Sequence, residues 1–236
     1  MNLKQELHKN GCDAFYRELA AEYDLREIFY TIQERSFGFL CVEDSYALLD
    51  RISPEEFLKD EQMPYWAEIW PAAIMLSSFI ARELPLEGKR IIEIGAGVGM
   101  VSVVAAANGA DVLSTDYSQD ALRFVAYNAL RNGVHLETAT LDWRLVQCNE
   151  RFDMLFAADV LYERVNPLPV MTAIDKLLKS DGMAWIADPR RRLAGQFLDL
   201  AGENGFSITP FATNYEGGSQ PVGVNIYRLS RGVMHG

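Results

Sequence analysis

From residue 71 onward the sequence alternates between two periodicities. Runs rich in β-branched and aromatic residues at 90–94, 111–115, 136–140, 152–157 and 183–187 are separated by stretches of helical spacing at 100–108, 118–132, 166–178 and 192–204. A further helix, PAAIMLSSFIAREL, precedes the series. Pro71 suits its first turn, where the N–H is unused, and Pro85 should stop it. Gly109, Gly133 and Gly205 stand where later helices should end. Such alternation admits few folds. Strands joined through helices lie parallel, and the helices must cover both faces of the sheet. The expected class is therefore α/β, a doubly wound sheet of seven strands. The last two strands, 206–212 and 224–230, have no helix between them and predict a C-terminal antiparallel hairpin at one edge. Between Asp142 and Phe152 there are too few residues for a full helix. Ligands of such sheets bind beyond the C-terminal ends of the strands.

Residues 1–63 follow another pattern and read as an N-terminal α+β extension of a main domain at 64–236. Asp13 can cap a short helix carrying Phe15 and Leu19. The stretch EIFYTIQERSFGFLCVED predicts two short strands around a polar turn. This extension can serve as a lid or simply enlarge the fold. Of the 236 residues, 49% are apolar, enough for one sizeable core. The formal net charge of -11 argues against a non-specific grip on nucleic acid, which Lys and Arg would drive. Cys12, Cys41 and Cys148 are odd in number and form no CxxC pair, so free thiols in a reducing cytoplasm are expected. The polar start is no signal peptide, and no apolar run is long enough to span a bilayer.

The loop between the first strand of the series and its helix reads IEIGAGVGM, with Glu93, Gly95, Gly97 and Gly99. A G-x-G-x-x-G dinucleotide fingerprint would need glycine where Met100 stands, and a P-loop would need G-K-[ST]. The pattern E-x-G-x-G-x-G instead lets a backbone lie against the amino-acid end of S-adenosylmethionine, with Glu93 facing the ammonium group; otherwise it is a tight turn packing a helix on a sheet. Asp116 ends the next strand about twenty residues on, where a carboxylate either clasps a ribose diol or caps the following helix. After the third strand, Asp142 can accept from an adenine amino group and Trp143 can cover the ring, or the pair is a core tryptophan beside a solvated acid.

Over 64–231 the order of elements resembles the Rossmann-like class I, seven-β-strand methyltransferases that depend on S-adenosylmethionine. PYWAEIWPAA (64–73), ADVLYE (158–163) and IADPRR (186–191) are similar to the protein lysine methyltransferase family that includes the electron-transfer-flavoprotein-β enzyme. In that family a Trp-Pro segment precedes the first helix and a D-x-x-Y or D-x-x-F segment follows the fourth strand. Arg190 stands where the flavoprotein enzymes have glycine. The resemblance implies S-adenosylmethionine as cofactor, held by Trp66, Glu93, Gly95, Ala96, Gly97, Gly99, Asp116, Tyr117, Asp142, Trp143 and Ala158. It implies catalytic parts for Asp159, Tyr162 and Trp70, and no metal. Asp159 is expected to orient an acceptor amine, while Tyr162 and Trp70, with Trp66, shape its channel or are structural aromatics. Arg190, Arg191 and Arg192 read as a solvated run rather than a substrate patch, the alternative. The implied acceptor is a lysine side chain of a protein. A small amine, as in the nicotinamide N-methyltransferase-like relatives, is the alternative, and a non-catalytic module that keeps the fold is a third reading.

Overall fold

The computed structural model describes residues 3–51 and 64–232. Its centre is a seven-stranded sheet. The strands are β3 (Arg90–Ile94), β4 (Asp111–Asp116), β5 (Glu137–Thr140), β6 (Phe152–Ala158), β7 (Leu178–Asp188), β8 (Phe206–Tyr215) and β9 (Val222–Arg231). They lie in the order β5-β4-β3-β6-β7-β9-β8, and only β9 runs antiparallel to its neighbours. The chain winds outward from β3 in one direction and resumes at β6 in the other. The loops after β3 and β6 therefore part, and a crevice opens above them.

Helices α2 (Pro71–Glu83), α3 (Met100–Ala107) and α4 (Gln119–Arg131) cover one face; α5 (Pro167–Leu177) and α6 (Ala194–Glu203) cover the other. Local chemistry explains their ends. Pro71 occupies the first turn of α2, and Leu84, before Pro85, is extended at ψ 132°. Only a 3-10 turn, Trp143–Leu145, fills the short connection before β6. Strand β7 starts at Leu178, five residues before the expected 183, because Leu178 pairs with Phe152 across a register shift. No helix among the described residues is long and apolar enough to cross a membrane.

The extension holds α1 (Leu3–Ala20) and the antiparallel hairpin of β1 (Leu25–Ile32) and β2 (Arg35–Val42). Asp13 lies inside α1 rather than at its start, which corrects the expected cap; the helix begins ten residues earlier. Leu19, Phe37, Phe39 and Leu40 are buried in the same core as α2, α3 and α4. Asn128 of α4 and Asn132, which caps the helix's C-terminal end, dock β2 through its backbone. Asn128 Oδ1 accepts from Leu40 N at 2.7 Å while its Nδ2 donates to Leu40 O at 3.1 Å, and Asn132 treats Gly38 the same way. A strand edge that would otherwise carry buried unpaired groups is thereby satisfied. The 52–63 part of the expected extension lies outside the described residues. Cys12, Cys41 and Cys148 form no disulfide among the described residues.

Candidate active site at the sheet's C-terminal edge

The loop after β3 turns on three left-handed glycines, with φ of 66° at Gly95, 55° at Gly97 and 85° at Gly99. Each excludes a side chain for its own reason. A Cβ on Gly97 would lie 3.1 Å from the Trp66 carbonyl oxygen, so only glycine lets the 3-10 turn Tyr65–Ala67 sit against the loop. A Cβ on Gly95 would lie 2.7 Å from Cζ3 of Trp143. Gly99 stands outside the cleft lining; it packs on Val125 of α4 and starts α3.

Four carboxylates converge on this edge. Glu93 is 2% exposed, and its Oε2 accepts from the Ser102 backbone N–H at 2.8 Å and from the Ser102 hydroxyl, which is itself hydrogen-bonded to Ser114 at 2.8 Å. Burial pushes its pKa up to about 8, against those hydrogen bonds. Asp116 closes β4: its Oδ2 accepts from Gly97 N and its Oδ1 from Ser118 N, both at 2.9 Å. The helix cap is Ser118, whose hydroxyl accepts from Ala121 N at 3.3 Å, so Asp116 does not cap α4. Burial raises Asp116 to about 6, again opposed by its backbone donors. Asp116 thus braces the glycine loop through Oδ2 and the turn into α4 through Oδ1.

Asp159 follows β6 in a left-handed conformation, φ 57°, rare for a residue with a side chain. Its N–H donates to Ala187 O at 2.8 Å, fixing it to the end of β7. Its Oδ1 accepts from Nε of Arg191 at 2.5 Å, while Oδ2 is buried without a partner among the described residues. Asp188, wholly buried at the end of β7, accepts from Arg191 N at 2.6 Å and also leaves its Oδ2 unpartnered. Burial, and then the charge of Asp159, raise its pKa to about 6 against that hydrogen bond. Arg191, expected in a solvated run, is instead the cation between two buried acids.

Around Asp159 stand Tyr162, Tyr65 and Trp70. The Tyr65 ring meets Tyr162 edge-on at 4.9 Å and Trp70 at 6.0 Å, and Trp70 Nε1 donates to Tyr65 O at 2.9 Å. The Trp66 ring rests on Phe124 at 5.4 Å. Of the expected residues, Trp66, Trp70, Glu93, Gly95, Ala96, Gly97, Asp116, Tyr117, Trp143, Ala158, Asp159 and Tyr162 line one cleft. Asp142 lines an adjoining depression with Tyr117, Trp143 and Tyr162. It is bound there by Arg144, at 2.7 Å, which holds its pKa below the ordinary carboxylate value although burial pushes the other way. Tyr65, and the pairing of Arg191 with Asp159, escaped the sequence reading. No spacing singles out Tyr65, and the argument for Arg191 needs the register that sets β7 beside β6.

The cleft suits S-adenosylmethionine by its donors and acceptors. The glycine loop presents bare backbone, Glu93 and Asp116 present carboxylates, and Trp143 and Tyr117 present flat rings. Its outline, open mouth included, encloses about 640 Å³, yet side chains leave only about 60 Å³ free, the Trp143 ring standing over Gly95. Small-molecule sites usually hold about 300–1,000 Å³.

Comparison with known proteins agrees with this geometry. Residues 57–203 match a family described as lysine methyltransferase. A human putative methyltransferase-like protein 21E pseudogene is 30% identical over 75% of this chain and 71% of its own length. The bovine protein-lysine methyltransferase METTL21E is 32% identical over 57% of this chain, which spans about half, 51%, of that relative. Among solved structures, a Thermus thermophilus 16S rRNA N2 G1207 methyltransferase in complex with AdoMet and guanosine superimposes with a TM-score of 0.62 at 14% identity, over 88% of this chain and 51% of that one. A putative RNA methyltransferase from Pyrococcus horikoshii gives 0.59 at 19% identity, over 72% and 89%. At these identities the two structures share the fold alone.

Proposed function

The chain belongs to the lysine methyltransferase family and is a methyltransferase dependent on S-adenosylmethionine; on that premise we propose that its acceptor is a lysine side chain of a protein. The observation that carries this reading is the buried, unpartnered Oδ2 of Asp159 in a cleft walled by Tyr65, Trp70 and Tyr162. An ammonium group is a donor-only cation, and a desolvated carboxylate oxygen beside aromatic faces is a place that favours one. The named relatives that are protein-lysine methyltransferases support the same acceptor. A nucleic-acid acceptor would call for a basic face, and the formal charge of -11 runs against it.

Bound cofactor supplies the electrophilic methyl carbon. The chain's part is to bind, align and exclude water. Backbone at Gly95 and Gly97 and the carboxylates of Glu93 and Asp116 hold the cofactor, with Tyr117, Trp143, Asp142 and Ala158 beside it. Asp159 orients the amine, and the aromatic wall keeps water from the reacting nitrogen. Such alignment contributes about 7–11 kcal/mol. The amine must also be neutral to attack, which costs about 4.6 kcal/mol for an unperturbed lysine at pH 7. Asp159 by itself would raise that cost, because it favours the charged form. Arg191 already balances its charge, so the oxygen orients the amine without strongly holding the proton.

The test is transfer of labelled methyl groups to cell extract, read separately in the protein and small-molecule fractions. Label that precipitates with protein and returns as methyl-lysine on hydrolysis supports the reading. Label only in small molecules assigns a free amine instead. Intact cofactor binding with no label in either fraction leaves a non-catalytic module.

A further inference from the structure

A second concavity lies between α2 and the β7-β9-β8 part of the sheet and shares no lining residue with the cleft. It holds about 630 Å³ of free space, well inside the range of small-molecule sites and about ten times that of the cleft. Its apolar wall is a cluster of three rings. Phe79 of α2 lies 5.2 Å from Trp185 and 5.1 Å from Phe211, and Trp185 lies 5.8 Å from Phe211.

Two donors in its lining have no acceptor among the described residues, while its one carboxylate, Glu83, is paired with Arg82. Trp185 is 4% exposed, and its Nε1 is buried without a partner among the described residues. Arg228 is half-buried; its Nε is likewise unpartnered, and one Nη donates to Thr209 Oγ1 at 3.0 Å. It forms no ion pair among the described residues, whereas Arg82 at the same pocket pairs with Glu83 at 2.6 Å. The two orphans are neighbours by construction. Trp185 and Arg228 are register partners on β7 and β9, and Thr209 partners Arg228 on β8. Directly opposed side chains of an antiparallel pair stand about 4.5–5.5 Å apart on one face of the sheet. A buried indole N–H and a guanidinium edge left without acceptors are each costly, and most such groups in folded proteins have a partner.

The geometry points to a second binding site here, for a small amphipathic monoanion: a carboxylate on a flat apolar body. As the two side chains turn toward the concavity, the carboxylate accepts from Arg228 Nε and Trp185 Nε1, and the body lies against Phe79 and Phe211. A planar carboxylate matches the guanidinium edge, and a monoanion gives up less hydration than a phosphate on entering among rings. The site is independent of the methyl acceptor.

The probe is 1-naphthoate, with 1-naphthamide as its neutral counterpart, titrated into the full chain labelled with ¹⁵N at tryptophan. The Trp185 indole signal is assigned by its loss in Trp185→Phe. Saturable movement of that signal by naphthoate is expected, with the amide at least about tenfold weaker and naphthoate about tenfold weaker in Arg228→Met, which keeps the stem. S-adenosylhomocysteine should not displace it. No movement up to roughly 10 mM naphthoate overturns the proposal. So does equal binding of acid and amide, a response confined to Trp66, Trp70 or Trp143, or competition by S-adenosylhomocysteine. The acid–amide comparison uses the unmodified protein and stands even if a variant fails to fold.

Discussion

The two edges of the parallel sheet carry the same residue types in opposite states. At the C-terminal edge Glu93, Asp116, Asp159 and Asp188 are buried, and burial lifts Glu93 to about 8 and Asp116 and Asp188 to about 6. At the N-terminal edge Asp111, Glu137 and Glu150 stand in solvent around Arg90, and Asp153 binds Lys179 at 2.7 Å. Lys179 holds Asp153 below the ordinary carboxylate value. The second arrangement is what solvent-exposed charges adopt on their own, and each pair contributes little. The first requires desolvated acids that fold at a cost. Strongly perturbed acids gathered in a crevice mark a functional edge.

The contrast can be broken most forcefully at Asp116. Asp116→Ala is expected to weaken binding of S-adenosylhomocysteine about 30- to 1,000-fold, the equivalent of roughly 2–4 kcal/mol from two charged hydrogen bonds. Because Ser118 supplies the helix cap, the unliganded melting temperature should move only a few degrees. Calorimetry beside a thermal melt reads both, and a collapse of the melt with unchanged affinity would make Asp116 a structural acid only.

Asp159→Asn should leave cofactor affinity near normal while slowing methyl transfer by about two orders of magnitude, through lost alignment and lost charge. Wild-type turnover would remove Asp159 from the mechanism; lost cofactor binding would move it to the cofactor's side of the cleft.

The pH dependence sharpens the comparison. Glu93, Asp116 and Asp188 have folded pKa values above their unfolded ones, so the unfolded chain releases these protons first as pH rises. Their contribution to stability is complete below about pH 4 and is lost as the pH climbs toward 6 and then 8. The unliganded protein should therefore lose stability between about pH 5 and 8, with Glu93 accounting for on the order of 3 kcal/mol. Urea unfolding across that range tests it, and Glu93→Gln should flatten the slope above pH 6. A slope unchanged in that variant would assign the effect elsewhere. Asp153 works in the opposite sense: its contribution is present above the unfolded value near 4 and fades as acid protonates it.

The smallest effect belongs to the N-terminal edge. Asp111→Asn leaves Arg90 with Glu137 and Glu150, so the loss should stay under about 1 kcal/mol and shrink further in salt. A loss of several kcal/mol would show that the two edges differ less than their exposure implies.

Much of the site was legible because its signals are local. A left-handed turn at Gly95 and Gly97 demands glycine wherever the loop goes, and an acid two residues before it or at the end of the next strand can be read by counting. Asp142 was legible as a residue of this edge, but its tie to Arg144 two residues on competes with the expected adenine contact. Gly99 was legible as a glycine, while its packing on Val125 was not, because the two lie on different elements.

The sequence by itself determined the order of strands and helices, the hairpin that closes the sheet and the glycine loop of the candidate site. Hydrophobic period, proline and glycine act within a few residues of chain, so these features need no knowledge of distant neighbours. Only the tertiary structure decided that Arg191 balances Asp159 across 32 residues, that Tyr65 meets Tyr162, and that Trp185 and Arg228 stand side by side. Each is set by strand register or by how a loop lies on the sheet. Register is fixed by burial of the whole core at once, and a one-residue slip of β9 against β7 would turn Arg228 to the other face from Trp185.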